Sequence, residues 1–182
     1  MAEINLTMEQ VEDIMLEAAR QALGIPDDNS TIRLAYGARS PTGSAPTHNV
    51  KKSTVYVMVN YTDDGYGQQH HTSYETVEGA DKLTEVDEYT EEYAVTFSCY
   101  GKEADIYPRK IRDYLYSENS RNFLNQHGVK FKVGSQKLIS AREVIETTWV
   151  SRCDLTVEFY SAVRTERPDA VDWVENVEIR FS

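Results

Sequence analysis

Two adjacent carboxylates, Asp63 and Asp64, lie in a turn directly after the strand-like stretch from Val55 to Tyr61. Paired carboxylates can bind Mg²⁺ or Ca²⁺, and with a nearby histidine they would suit a metal-dependent hydrolase. An all-oxygen site needs further ligands, and the spacing around this turn does not supply them. Adjacent acids on a turn more often accept hydrogen bonds from backbone amides. The turn therefore favours a structural role, with a hydrolase as the lower alternative.

The neighbouring histidines, His70 and His71, do not strengthen the metal hypothesis. Adjacent residues of a strand point to opposite faces, so the two imidazoles cannot easily share one ion. The sequence also contains no Gly-x-Ser-x-Gly elbow, no phosphate-binding glycine loop, no Cys-x-x-Cys and no His-Glu-x-x-His. We therefore predict no metal, no cofactor and no enzymatic activity, although a site built from residues distant in sequence stays open.

Two cysteines, Cys99 and Cys153, fall inside strand-like patterns far apart in the chain. Buried thiols that pack as small apolar side chains are the favoured interpretation. A disulfide would need an oxidising compartment, and a catalytic cysteine would need a placed histidine. Neither alternative is favoured by the sequence.

Chain length and net charge favour a single-domain protein and argue against a nucleic-acid-binding one. The chain has 182 residues, of which 40% are hydrophobic, and a formal charge of -11. This length fits one domain over residues 1–182, and the acid excess argues against a surface that grips nucleic acid through phosphates. We find neither an apolar run long enough to span a membrane nor a signal peptide, so we expect synthesis in the cytoplasm.

Charge is segregated along the chain. The acidic block, residues 75–92, has eight acids against Lys82 alone, a local charge of -7. The basic block, residues 102–142, has nine basic residues and four acids, a local charge of +5. Solvated faces explain such blocks most simply, but head-to-tail association of subunits would also use them.

Apolar periodicity predicts three helices. The first begins after the N-cap Thr7, with Gln10 in capping-box spacing, and ends at Gly24. A second runs to Tyr116 and begins or kinks at Pro108, and a short third covers residues 120–126.

Alternating residues predict strands at 31–36, 55–61, 70–77, 89–100, 142–148 and 152–164. We expect a turn at Arg167-Pro168-Asp169 and a last strand through Val177 and Phe181. A loop rich in Gly, Pro, Ser and Thr spans residues 37–49. Together the elements predict an α+β fold, a largely antiparallel sheet with helices packed on one side.

In this order the elements resemble a bacteriophage neck or tail terminator protein. The resemblance rests on an N-terminal helix leading to TIRLAYG, then the loop with PTGSAP, and on VYVMVNYTDDGYGQQ, EEYAVTFSCYGKEADIYPRKIRDYLY and WVSRCDLTVEFYSAVRT. It covers nearly the whole chain. Its most specific parts are the strand leading into Asp-Asp-x-Tyr and the strand-Tyr-Gly-helix unit with Ile111-Arg112-Asp113.

The resemblance implies a structural virion protein at the junction of tail and neck. Such proteins assemble as a ring, usually a homohexamer, on the last ring of the tail tube, where they stop polymerisation and join the tail to the head connector. In contractile tails the end of the sheath is a further partner. DNA would pass through the ring without sequence-specific binding. The alternative is another neck component, such as a head-completion protein or a connector adaptor.

Contact residues for such an assembly can be named from local charge and expected exposure. We predict that the loop at 37–49 and the acidic turn make protein contacts, and that the basic block supplies the cationic side of the subunit interface. The residues are Asp63, Asp64, Tyr66, Arg109, Lys110 and Arg112.

Overall fold

The computed structural model describes residues 5–25, 31–35, 52–62, 69–76, 82–145 and 147–172, except for the side chains at 82 and 168–172. These residues form three helices and seven strands. The helices are α1 (Met8–Leu23), α2 (Tyr107–Leu115) and α3 (Glu118–Gln126). The strands are β1 (Ile32–Leu34), β2 (Thr54–Tyr61), β3 (His71–Thr76), β4 (Lys82–Tyr100), β5 (Val129–Phe131), β6 (Lys137–Ile145) and β7 (Thr148–Asp172).

One mixed sheet contains all seven described strands. Its main order is β1-β2-β4-β7-β5, while β3 pairs with β4 and β6 pairs with β7. The β1–β2 pair is parallel, and the other pairs among the described strands are antiparallel. The predicted α+β class with a largely antiparallel sheet is therefore confirmed.

The core lies between the helices and one face of the sheet. Val55, Val57 and Val59 point inward from β2, as the alternation predicted, and Phe97 and Phe159 are fully buried beside them. Burying an apolar side chain of this size contributes roughly 1.5–3 kcal/mol relative to leaving it exposed. All three helices contribute buried residues to this cluster. The helices thus cover the apolar face of the sheet and leave its more polar face uncovered.

The predicted cap of α1 is confirmed. The backbone N–H of Thr7 donates to Gln10 Oε1 at 2.8 Å, and the N–H of Gln10 donates to Thr7 Oγ1 at 3.3 Å. These bonds satisfy two of the backbone donors that a helix start leaves unpaired. The helix ends at Gly24, also as predicted.

The predicted turn at Arg167-Pro168-Asp169 is wrong, because β7 continues to Asp172. Glu85 pairs with Arg167 but Leu83 pairs with Val171, so β7 has two more residues than β4 in this interval. Such a bulge tolerates proline, which has no N–H to give to a ladder. The turn-forming residues therefore interrupt the register without ending the strand.

Several strands are longer than their sequence patterns predicted. β4 begins at Lys82, β6 at Lys137 and β7 at Thr148, and the short β5 was not predicted. The predicted loop at 37–49 and the predicted strand through Val177 lie outside the described residues. None of the described helices is both long and apolar enough to cross a bilayer.

Gly101 and Gly134 offer a matched test of packing at the end of β4. Both have a φ of +91°, but a Cβ on Gly101 would lie 3.0 Å from the Lys52 carbonyl oxygen and from Ser53 Cα, whereas Gly134 has open space. We expect Gly134→Ala to cost about 1 kcal/mol from backbone strain. Gly101→Ala should cost about 1–3 kcal/mol more, because backbone atoms must move. Urea denaturation measures both, and equal losses would contradict the close approach at Gly101.

Candidate functional site

The acidic half of the predicted contact surface cannot be placed, because Asp63, Asp64 and Tyr66 lie outside the described residues. The basic half can be placed on α2. This helix follows the turn at 101–106. The helix shows where the basic residues point, and their role as subunit contacts stays a prediction.

Packing of α2 turns its cations outward. Ile111 and Leu115 are buried against the core, so Arg109 and Lys110, on other sides of the helix, are exposed. Neither makes an ion pair with a described acid. Arg112 is half-buried, and its Nε lies 3.7 Å from Asp113 Oδ1. Arg109 and Lys110 are therefore the two cations of this helix that are free to meet a partner.

Most of the acidic block lies in a three-stranded extension of the sheet. We call this the acidic arm: β3 with residues 83–91 of β4 and 161–167 of β7. No described residue of the arm belongs to the main core cluster under the helices. The arm therefore lies outside the main core cluster, although Val86 and Val163 within it are buried.

Two arginines of β7 neutralise part of the acidic arm. Arg164 lies 3.0 Å from Glu75, 3.3 Å from Glu88 and 2.9 Å from Glu166. Glu166, and after it Glu75, raises the pKa of Arg164. Arg167 makes an ion pair with Glu85. The six described acids of the arm still exceed the two arginines, which leaves a formal charge of -4. They are Glu75, Glu85, Asp87, Glu88, Glu91 and Glu166.

A buried acid next to the arm is also neutralised within the chain. Glu92 is only 7% exposed, and both its carboxylate oxygens accept from Lys132 Nζ at 2.9 Å. The same ammonium lies 3.1 Å from Glu158 on β7. Hydrogen bonds to Glu92 and then Glu158 raise the pKa of Lys132, so the lysine stays charged. This cluster joins β4, β7 and the segment after β5 on the face opposite the helices.

A second cluster occupies the other end of that polar face. Arg152 donates from Nε to Asp154 Oδ1 at 2.9 Å and from Nη1 to Glu143 at 3.1 Å. The hydroxyl of Tyr100 donates to the same Glu143 oxygen at 3.0 Å. Burial, followed by this hydrogen bond, raises the pKa of Tyr100 to about 12. These side chains connect β6 to β4 and β7, in addition to the backbone hydrogen bonds between β6 and β7.

The β6–β7 hairpin carries an apolar surface that the sequence analysis did not identify. Trp149 is 70% exposed, and its cross-strand partner Val144 is 51% exposed. The signal available in the sequence was a tryptophan next to a two-residue hairpin turn. It was missed because residues 149–151 were not assigned to a strand.

The described residues do not bring together a catalytic or metal-binding group. His70 Nδ1 lies 2.8 Å from Asp87 Oδ2, and its ring stacks on Tyr89 with centroids 4.5 Å apart. Within the described ranges, no cluster of three or more His, Cys, Asp or Glu could hold a metal. Cys99 and Cys153 are buried free thiols, and burial raises the pKa of Cys99. The hydrolase hypothesis centred on Asp63 and Asp64 falls on residues that are not described.

Removing the Lys132 ammonium should lower the free energy of unfolding, because Glu92 is buried. We expect Lys132→Met to destabilise the fold by about 2 kcal/mol, since a buried carboxylate loses its partner while water replaces only part of the interaction. Urea denaturation at neutral pH measures the change. Lys137→Met, at an exposed position of β6, is the control and should stay within about 0.5 kcal/mol. Adding Glu92→Gln to Lys132→Met should recover part of the loss, and no recovery would count against the pair.

Comparison with known proteins supplies the family. A search of curated proteins found no match. A family model described as phage neck terminator protein matches residues 18–182, which include the last part of α1 and every described strand. This match confirms the resemblance drawn from the sequence. It makes the chain a structural virion component that interacts with other phage tail or head proteins. The protein belongs to the phage neck terminator protein family.

Proposed function

We propose that this protein caps the phage tail tube as a ring, ends tube polymerisation and joins the tail to the head connector. The family match over residues 18–182 is the observation that carries the proposal, because it places the protein in the neck. The ring is a homohexamer in this proposal. Its partners are the tail tube protein, the head connector or neighbouring neck proteins and, in a contractile tail, the sheath.

The distribution of charge supports ring formation. Free cations lie on the exposed side of α2, and the acidic arm with its charge of -4 lies outside the core cluster that α2 covers. Surfaces of opposite charge at separate places on a subunit suit a heterologous contact, which closes into a ring when the rotation between neighbours allows it. The loop at 37–49 and the turn with Asp63, Asp64 and Tyr66 are further contact elements in this proposal.

The acid excess supports passage of DNA through such a ring. A formal charge of -11 per chain makes strong, sequence-independent phosphate binding unfavourable. DNA would therefore slide through the ring without being held by its phosphates. In this proposal the ring also makes no sequence-specific contact with the DNA.

Imaging of tail tubes tests the function directly. Purified protein added to tail tubes should appear as a ring at the head-proximal end, and tubes assembled in its presence should stop growing. Its mass in solution, measured by light scattering, gives the state before capping. Binding to the connector with bare tube ends would instead identify a connector adaptor or head-completion protein.

Charge reversal on α2 tests the subunit contact. We expect Arg109→Glu with Lys110→Glu to weaken ring formation at least about tenfold, since two free cations become like charges toward an acidic neighbour. Arg112→Glu alone should have a smaller effect, because Arg112 already faces Asp113. Arg121→Glu with Lys130→Glu, exposed elsewhere in the basic block, is the matched control. Unchanged assembly of the α2 variant, measured by sedimentation against concentration, would show that these residues are not subunit contacts.

A further inference from the structure

The end of the β6–β7 hairpin projects beyond the rest of the sheet. β4 ends at Tyr100, opposite Arg152, so residues 148–151 of β7 continue past it and pair with residues 142–145 of β6. We call these eight residues the hairpin tip. Trp149 and Val144 are paired across it, and both are largely exposed. A tryptophan exposed on a projecting element is a common anchor of protein interfaces.

Cations accompany the apolar pair. Arg142 lies two residues before Val144 on the same strand, hence on the same face, and it is exposed without an ion pair to a described acid. Lys102 is exposed in the turn where the Gly101 N–H donates to the Ser151 carbonyl at 3.0 Å. Among the described acids, Glu143 points to the other face, where Arg152 and Tyr100 bind it. Glu146, in the hairpin turn, lies outside the described residues. The described side chains on this surface are therefore two apolar residues of the tip and two nearby cations.

The acidic arm has the complementary properties. Its described acids exceed its arginines by four charges. Tyr74 on β3 is 53% exposed and pairs with Glu85, so an aromatic surface lies among the carboxylates. Aromatic and aliphatic side chains can pack on Tyr74 while Arg142 and Lys102 meet the net negative charge around it.

The tip cannot reach the arm of its own chain. Arg152 and Glu166 are separated by fourteen residues of the same strand, which at about 3.3 Å per residue corresponds to about 46 Å. The tip and β3 also lie on opposite edges of the β4–β7 pair. A contact between these surfaces therefore joins two molecules head to tail.

We propose that the hairpin tip of one subunit docks on the acidic arm of the next copy of the same chain. Trp149 and Val144 pack against the aromatic surface of the arm, and Arg142 and Lys102 offset its charge. The inference rests on the self-association in the proposed function and does not depend on tube capping. It names the two surfaces that would propagate the ring.

Site-specific cross-linking tests this arrangement. Thr147→Cys puts a thiol in the hairpin turn next to the tip, and Thr72→Cys puts one on the arm; both positions are exposed, while both native cysteines are buried. Mixing the two variants under mild oxidation should give a cross-linked dimer, and each variant alone should not. Asn122→Cys, exposed on α3, is the control partner for each and should stay uncross-linked. A dimer from Thr147→Cys alone, or no mixed dimer at the highest soluble concentration, overturns the proposal.

Self-association provides the second measurement. Trp149→Ala should weaken it at least about tenfold, while circular dichroism and the unfolding midpoint stay near those of the unchanged protein, because the side chain is largely exposed. Val133→Ala, which truncates another side chain exposed to 71%, is the matched control and should associate normally. If Trp149→Ala associates normally but loses binding to tail tube protein, the tip contacts the tube and the proposal fails. A cross-linked dimer of the two cysteine variants, together with no ring on the tail tubes, would support the contact between tip and arm. The same result would contradict tube capping.

Discussion

The antiparallel pairing of β4 with β7 is the constraint on which the remaining structure depends. The pairing runs from Tyr100 opposite Arg152 to Lys82 opposite Asp172. Every other described strand except β1 pairs directly with one of these two, at different heights along them. Because residues alternate between faces along both strands, this one register assigns each side chain to the helix-covered face or to the polar face. It also separates the acidic arm from the hairpin tip.

The polar face is held by charges that are balanced locally. Lys132, Arg152 and Arg164 each bind carboxylates from two or more segments of the sheet. Burying a carboxylate such as Glu92 is costly unless a charged partner accompanies it, so the Lys132 cluster stabilises the fold, whereas the exposed pairs of Arg164 contribute little to stability. Ion pairs within the chain therefore neutralise part of the acidic block. The negative charge that remains available to partner proteins is smaller than the composition indicates.

Four cations outside the acidic arm are not neutralised in this way. Arg109, Lys110, Lys102 and Arg142 make no ion pair with a described acid. Exposed charges far from a partner contribute little to stability, and their main physical effect is on association with other molecules. Strand β7 thus separates the net negative arm from a hairpin tip with exposed apolar side chains. For a protein of the virion neck, that asymmetry suits repeated head-to-tail contact better than symmetric pairing.

Local sequence determined the capped first helix, the alternating core strands and the α+β class, because capping residues and apolar periods act within a few neighbours. The composition and motifs also indicated a structural family. Only the tertiary structure decided that Pro168 sits in a bulge of a continuous strand, that Lys132 neutralises Glu92, and that Trp149 projects from the sheet. Those outcomes depend on which residues face each other across strands distant in sequence, and no local pattern contains that register.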